Sequence, residues 1–141
     1  LEAVKRIEVW LEASIRAHQS VGVETVLSTD KYRRLVLLAK QLGFEFRLIY
    51  VLLDSPERCI ERVRFRVAKG GHRVRTTRIR ERYLRSLDQL PWFLDLADLA
   101  ILFDNSGASP VRIGQKADGT ISLYADALPE IIKAAKKIQS N

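Results

Sequence analysis

The most chemically distinctive part of this sequence is a segment crowded with arginine. Residues 58–85 contain eleven cationic side chains and only two acidic ones, a balance of +9, whereas the whole chain carries a formal net charge of +7. A positive field this localised is typical of a surface that faces an anion, such as a polyphosphate, a nucleic acid or a membrane. The ten arginines of the segment are Arg58, Arg62, Arg64, Arg66, Arg73, Arg75, Arg78, Arg80, Arg82 and Arg85.

A glycine pair divides this segment into two stretches with helical periodicity. Two arginine-rich helices joined at Gly70-Gly71 are typical of a mobile lid over a polyphosphate, because guanidinium groups stabilise phosphoryl oxygens with paired hydrogen bonds. Arg66 and Arg82 border the apolar stripes of their helices, which favours these two as the phosphate contacts. His72 is either a loop residue or a further phosphate contact. Most of the other cations are expected to form a solvated basic face.

Polar residues at strand ends are the other candidates, because ligands of open α/β sheets bind beyond the carboxyl ends of the strands. Glu24 lies in a short apolar run and is either an edge carboxylate in water or an acceptor for a substrate hydroxyl. Thr25 contributes only if the strand ends there, since successive residues of a strand point to opposite faces. Asp54 is explained more simply as part of a helix start, and Asp104-Asn105-Ser106 is a turn sequence by residue type.

The order of apolar periods and breakers predicts the elements that position these residues. Helices are predicted over 3–18, from a cap at Ser28 or Thr29 to Gly43, from Ser55-Pro56 to Gly70, from Thr76 or Thr77 onward, in a separate short turn opened by Pro91, and over 126–139. Strands are predicted over 23–27, 44–53 and 99–103. A hairpin is predicted from 111–115 and 120–124, with its turn at Lys116–Gly119.

This order predicts an α/β fold with three layers, in which helices flank a mainly parallel sheet on both faces. The continuous apolar runs at 48–53 and 99–103 suit strands that are covered on both faces. No linker or repeat interrupts the chain, so residues 1–141 are expected to form one domain. Cys59 is the only cysteine, which excludes an intramolecular disulfide and a cysteine-cluster zinc site. No apolar run is long enough to span a membrane, and a cytoplasmic location is expected.

An ordered set of residues between about 3 and 107 resembles the zeta-toxin-like kinases, and more narrowly the bacterial P-loop kinases labelled predicted ABC-type ATPases. No single piece is diagnostic, but the ordered set is specific. It comprises Glu24-Thr25-Val26-Leu27-Ser28, Ala39-Lys40, Gly43-Phe44, Tyr50-Val51-Leu52-Leu53, Arg62-Val63, Arg66-Val67, Gly70-Gly71-His72, Arg82-Tyr83, Arg85-Ser86-Leu87 and Asp104-Asn105-Ser106.

The resemblance implies a P-loop kinase fold that uses ATP and magnesium to phosphorylate a small molecule. In zeta toxins the acceptor is a hydroxyl of a UDP-linked amino sugar. By matching motif, Glu24 with Thr25 would bind the acceptor, and Arg66, His72 and Arg82 would be the phosphate contacts of the lid.

The departures from that family are as informative as the likeness. The phosphate-binding loop G-x-x-x-x-G-K-[ST] should precede the first helix, yet no Gly-Lys-Ser or Gly-Lys-Thr occurs in the chain. The catalytic aspartate of that upstream region has no counterpart either. After His72, Arg73 and Arg75 replace an acidic or small polar residue and a proline. We therefore predict no catalytic residue, no metal site, no bound ATP or magnesium and no measurable phosphotransferase activity, which leaves the classification as an enzyme open.

One further expectation, with two alternative outcomes, follows from this comparison. The family's loop-bearing strand lies between the strands that match 44–53 and 99–104, so its absence should be met by direct pairing of those strands or by a strand donated from a second chain in a homodimer.

Two other classes of function compete with the kinase-like one. Residues 58–85 could form a nucleic-acid-binding module that attracts phosphates, with little base stacking because Phe65 and Tyr83 are its only aromatic residues. The chain could also be a non-catalytic interaction protein.

Overall fold

The computed structural model describes residues 2–139, and their side chains from Lys5 onward. Five helices and four strands follow one another along the chain. They are α1 (Glu2–Arg16), α2 (Arg33–Gln41), β1 (Arg47–Leu52), α3 (Pro56–Ala68), α4 (Thr76–Leu96), β2 (Leu99–Asp104), β3 (Val111–Ala117), β4 (Thr120–Leu123) and α5 (Pro129–Gln139).

The sheet is mixed and its strand order is β1-β2-β3-β4. β1 and β2 run parallel, with Arg47 opposite Leu99 and Leu52 opposite Asp104. The pairs β2–β3 and β3–β4 are antiparallel. The α/β class is therefore confirmed, but the expectation of a mainly parallel sheet was wrong, because the hairpin extends the sheet with two antiparallel pairs. The two strands expected to flank a gap are direct neighbours, which agrees with the alternative of direct pairing.

Helices cover only one face of the sheet. On β1, Tyr50 and Leu52 are buried, whereas Ile49 between them is 68% exposed and Val51 is exposed as well. The buried face packs in one cluster with Leu90, Phe93 and Leu94 of α4 and with Ile131 and Ala134 of α5. The architecture thus has two layers, and the prediction of a third was wrong. A short apolar run is compatible with one covered face as well as with two.

The predicted strand at 23–27 is absent, and this stretch is extended chain without ladder pairing. Leu27 has a φ of 55° and its side chain is buried. Its backbone N–H donates to Thr25 Oγ1 at 3.2 Å. Such a local side-chain bond competes with strand pairing, and a left-handed residue turns the chain. Helix α2 accordingly begins after Tyr32 with no side-chain cap, so the caps predicted at Ser28 and Thr29 are not formed.

The start of α3 is confirmed in detail. Ser55 has an extended backbone and its Oγ accepts from the N–H of Arg58, while Pro56 occupies the first helical position. The predicted end at the glycine pair is confirmed too. Gly70 has a φ of 94°, its N–H donates to Val67 O at 3.0 Å, and the N–H of Gly71 donates to Arg66 O at 3.0 Å. These two bonds form the Schellman motif that typically ends a helix.

Gly70→Ala should lower the free energy of unfolding by about 1–2 kcal/mol, because an L side chain is strained at that positive φ. Urea unfolding followed by circular dichroism would measure the loss. Gly107→Ala is the matched control, since its φ is not positive and no atom would lie within 4 Å of the added methyl group. Equal losses in the two variants would contradict the role given to Gly70.

Helix α4 continues through Pro91 to Leu96, so the separate short turn predicted at that proline was wrong. Proline removes one backbone hydrogen bond inside a helix. The neighbouring Leu90, Phe93 and Leu94 are almost fully buried, and their packing offsets this cost. Tertiary packing therefore overrides the local stop signal.

The hairpin turn is confirmed. Ala117 pairs with Thr120, and the two turn residues, Asp118 and Gly119, both have positive φ. In the same strand, the buried Lys116 donates from Nζ to Leu94 O at 3.0 Å, which ties β3 to the end of α4. Helix α5 begins at Pro129, three residues later than predicted.

Candidate functional site

An open groove of about 1450 Å³ lies along the outer edge of β1. Its walls come from the extended stretch at 21–27 on one side and from α3 and α4 on another. β1 ends the strand order, so this edge of the sheet has no neighbouring strand among the described residues. The groove therefore joins an unpaired strand edge, an extended segment and the arginine-rich helices in one space.

Four of the five residues predicted for the site line this groove. Glu24 and Thr25 line it from the extended stretch, and Arg66 and Arg82 line it from α3 and α4. His72 is exposed and does not line the groove, so the structure does not bring it to the predicted site. β1 lines the groove along its whole length, and this includes its carboxyl end, the rim where ligands of α/β folds bind.

Arg66 owes its position to the end of α3. Its carbonyl oxygen accepts from the N–H of Gly71, and a Cβ on Gly71 would lie only 2.9 Å from Cγ of Arg66. A glycine at 71 therefore leaves room for the aliphatic part of the arginine. Arg82 is half-buried in the second turn of α4, one residue before Tyr83.

The arginines of the basic segment differ in whether their guanidinium groups form hydrogen bonds or ion pairs within the protein. Arg58 forms two bonds with the carboxylate of Asp54, at 2.7 and 2.9 Å. Arg80 pairs with Glu57 at 3.0 Å. Arg62 donates to backbone carbonyls of the β2–β3 loop.

The side chains of Arg66 and Arg82 have no hydrogen bond or ion pair within residues 5–139, the part of the chain whose side chains are described. These two guanidinium groups therefore remain available to an anion in the groove.

Two tyrosines form polar links in the floor of the groove. The hydroxyls of Tyr50 and Ser86 share a hydrogen bond of 3.0 Å, and Tyr83 donates to Leu53 O at 2.9 Å. Sequence reasoning missed both links, because their partners are 36 and 30 residues apart and no local signal marks them. Burial raises the pKa of the Cys59 thiol, which makes it a poor nucleophile.

Tyr50 predicts a loss of stability at alkaline pH. Burial raises the pKa of its hydroxyl to about 12 from an ordinary value of 10.0. The folded state thus retains the proton more tightly than the unfolded state. The stabilisation is fully present below pH 10.0 and is lost as pH rises toward about 12. Burial raises the pKa of Tyr83 as well, so both groups contribute.

Tyr50→Phe should therefore flatten the decline in unfolding free energy above pH 10.0. Urea titrations at a series of pH values would measure it, and an unchanged slope in the variant would contradict the role of Tyr50. Tyr124→Phe, at an exposed tyrosine on the far side of the hairpin, is the control.

The polar groups at the carboxyl ends of the two parallel strands form hydrogen bonds with one another and with Arg58. Besides its pairing with Arg58, which lowers the pKa of the carboxyl group, Asp54 donates from its backbone N–H to Ser106 Oγ at 2.7 Å. The carboxylate of Asp104 accepts from the backbone N–H of Ser106 at 2.9 Å. The structural interpretation of both aspartates fits these contacts.

The residues present do not fit a magnesium nucleotide. Over the described range, no group of three or more His, Cys, Asp or Glu side chains is placed to hold a metal ion. The chain also lacks the lysine-bearing glycine loop whose N–H groups would hold the β- and γ-phosphates. An anion in the groove would instead be held by guanidinium groups.

No protein-family model, curated protein or solved structure matches this chain. Within residues 2–139, none of the helices combines the length and the apolar character that crossing a bilayer requires.

Proposed function

We propose that this chain is a zeta-toxin-like kinase domain that binds a phosphorylated small molecule in the groove without transferring a phosphoryl group. The observation that carries the proposal is the pair Arg66 and Arg82, which line one groove and have no ionic partner among the described side chains. Three other arginines of α3 and α4, namely Arg58, Arg62 and Arg80, are instead paired with carboxylates or backbone carbonyls.

The chemistry of the groove suits a phosphate ester. Guanidinium groups bind phosphoryl oxygens through paired, charge-assisted hydrogen bonds, each contributing about 1.5–3 kcal/mol. Glu24 lines the same groove as an acceptor for a hydroxyl of the ligand. A ligand with a phosphate at one end and a hydroxyl at the other would use both walls.

The family resemblance supports the same ligand class, since UDP-linked amino sugars carry both groups. The absence of a loop for the β- and γ-phosphates and of a metal-binding cluster among the described residues supports binding without transfer. In this proposal, ATP and magnesium serve only a domain that includes the complete loop.

Calorimetric titration of the purified chain tests the proposal. Pyrophosphate and UDP-N-acetylglucosamine should bind in the groove, whereas N-acetylglucosamine, which lacks phosphate, should not. Incubation with ATP, magnesium and the amino-sugar nucleotide should give no phosphorylated product. Lack of binding by both phosphate compounds would refute the binding site, and product formation would refute the claim that transfer is absent.

A further inference from the structure

A second basic feature lies on α4 outside the groove. Arg78, Arg82 and Arg85 follow one another at intervals of four and three residues and lie on one face of α4, and Arg75 is the residue just before the helix. The helical rise of about 1.5 Å per residue separates Arg78 from Arg85 by about 10 Å along the axis. Only Arg82 lines the groove, and the other three are exposed. We call these three, Arg75, Arg78 and Arg85, the α4 stripe.

The α4 stripe is not satisfied by the protein. None of its three guanidinium groups has a hydrogen bond or ion pair among the residues described from Lys5 to Gln139, although Arg80 on the flank of the same helix pairs with Glu57 at 3.0 Å. Glu81 and Asp88 border the α4 stripe on one side. The charge of the stripe, counted with Arg82 and these two carboxylates, is still positive. Arg75 precedes the helix without forming a cap bond, so its side chain has no structural task there.

The surroundings of the α4 stripe decide which class of anion it fits. A membrane-binding helix requires a broad apolar face beside its cations, and a protein interface requires a buried apolar centre. Leu84 is the only large apolar side chain of α4 that is strongly exposed, and it is not at a position of the stripe. A row of cations without an apolar neighbour is suited to a polymer with regularly repeated negative charges.

We propose that the α4 stripe binds the sugar-phosphate backbone of a nucleic-acid strand, independently of the ligand in the groove. The guanidinium groups contact phosphates, which are the same for every sequence, so binding is insensitive to base sequence. Counterion release then makes the affinity strongly dependent on salt.

Fluorescence anisotropy with a labelled single-stranded DNA of about 20 nucleotides and mixed sequence tests this proposal at about 50 mM salt. The logarithm of the association constant should fall with the logarithm of salt concentration with a slope of about −2 to −3. The triple variant R75Q/R78Q/R85Q should bind at least about tenfold more weakly and lose about 2 from that slope.

The control R64Q/K133Q/K137Q removes the same charge from exposed positions elsewhere on the described surface. It should bind within about threefold of the wild type, because distant surface charges are largely screened. Equal losses in the two triple variants, or absence of DNA binding by the wild type, would overturn the proposal. Binding to vesicles that contain phosphatidylserine but not to DNA would overturn it in favour of a membrane. Should the stripe triple variant fold poorly, R78Q and R85Q singly carry the same comparison against R64Q.

Discussion

Replacing both Arg66 and Arg82 with glutamine should weaken pyrophosphate binding to the groove by at least about a hundredfold. Each arginine contributes a charge-assisted hydrogen bond of about 1.5–3 kcal/mol, so the loss of two corresponds to about 3 kcal/mol or more. The effect should be large because neither group has another partner within the described residues, so both are free to bind the ligand. Calorimetric titration of wild type and R66Q/R82Q would measure the difference.

A variant that loses the same number of positive charges outside the groove distinguishes a specific binding site from general electrostatic attraction. R64Q/R73Q removes two exposed arginines of the same segment that do not line the groove. It should bind pyrophosphate within about threefold of the wild type, because exposed charges at a distance are screened. If this variant loses as much affinity as R66Q/R82Q, the groove is not the binding site.

Glu24 gives a second internal check on the same site. Glu24→Gln should leave pyrophosphate binding almost unchanged and should weaken binding of UDP-N-acetylglucosamine. Only the sugar nucleotide has a hydroxyl that can donate a hydrogen bond to the carboxylate. An equal effect of Glu24→Gln on both ligands would contradict the assignment of Glu24 to the hydroxyl end.

Phe93→Ala should lower the free energy of unfolding by about 3–5 kcal/mol, a large fraction of the stability of a domain of this size. Its side chain is 2% exposed, and its ring makes edge contacts with Phe46 at 6.4 Å and with Trp92 at 4.9 Å between ring centroids. Removing the ring leaves a cavity where α4 packs on the sheet. Urea unfolding at neutral pH, followed by far-ultraviolet circular dichroism, would measure the loss.

Phe65→Ala is the control for this core substitution. Phe65 is 63% exposed on α3, and its ring faces the amine of Lys69 at 4.3 Å. Its removal should cost less than about 1 kcal/mol. Comparable losses at the two positions would show that the cluster around Phe93 is not the centre of stability.

Features that depend on a few neighbouring residues could be predicted from the sequence. Ser55 and Pro56 define the start of α3, and Gly70 its end, because capping and left-handed termination involve atoms within one turn. The turn at Asp118-Gly119 was predicted for the same reason. Each of these signals involves only residues that are close together in the sequence.

Features that depend on distant packing could not be predicted in this way. The apolar run at 48–53 reports hydrophobicity but not which face a helix will cover, so Ile49 was expected to be buried. Pro91 reads locally as a break, yet the burial of Leu90 and Leu94 carries α4 through it. The β-favouring run ending at Leu27 is diverted by the bond from its own N–H to Thr25.

The candidate site shows the same division. Helical periodicity placed Arg66 and Arg82 beside the apolar stripes of their helices, and both face the groove. Periodicity gives no information on His72, because it lies in a loop where no repeat fixes its direction. Glu24 shares the groove with residues about forty and sixty positions further along the chain. Only the three-dimensional arrangement shows this.

The uncovered face of β1 affects how the stability of this molecule can be measured. Ile49 and Val51 are exposed on the face of the sheet that also carries Leu99 and Arg47, so the native state itself presents an apolar surface near a cationic side chain. Anionic fluorescent dyes such as anilinonaphthalene sulfonate report exposed apolar surface, and their emission normally signals loosened packing. Such dyes should already fluoresce with the intact molecule, so melting curves recorded with them would start from a high baseline.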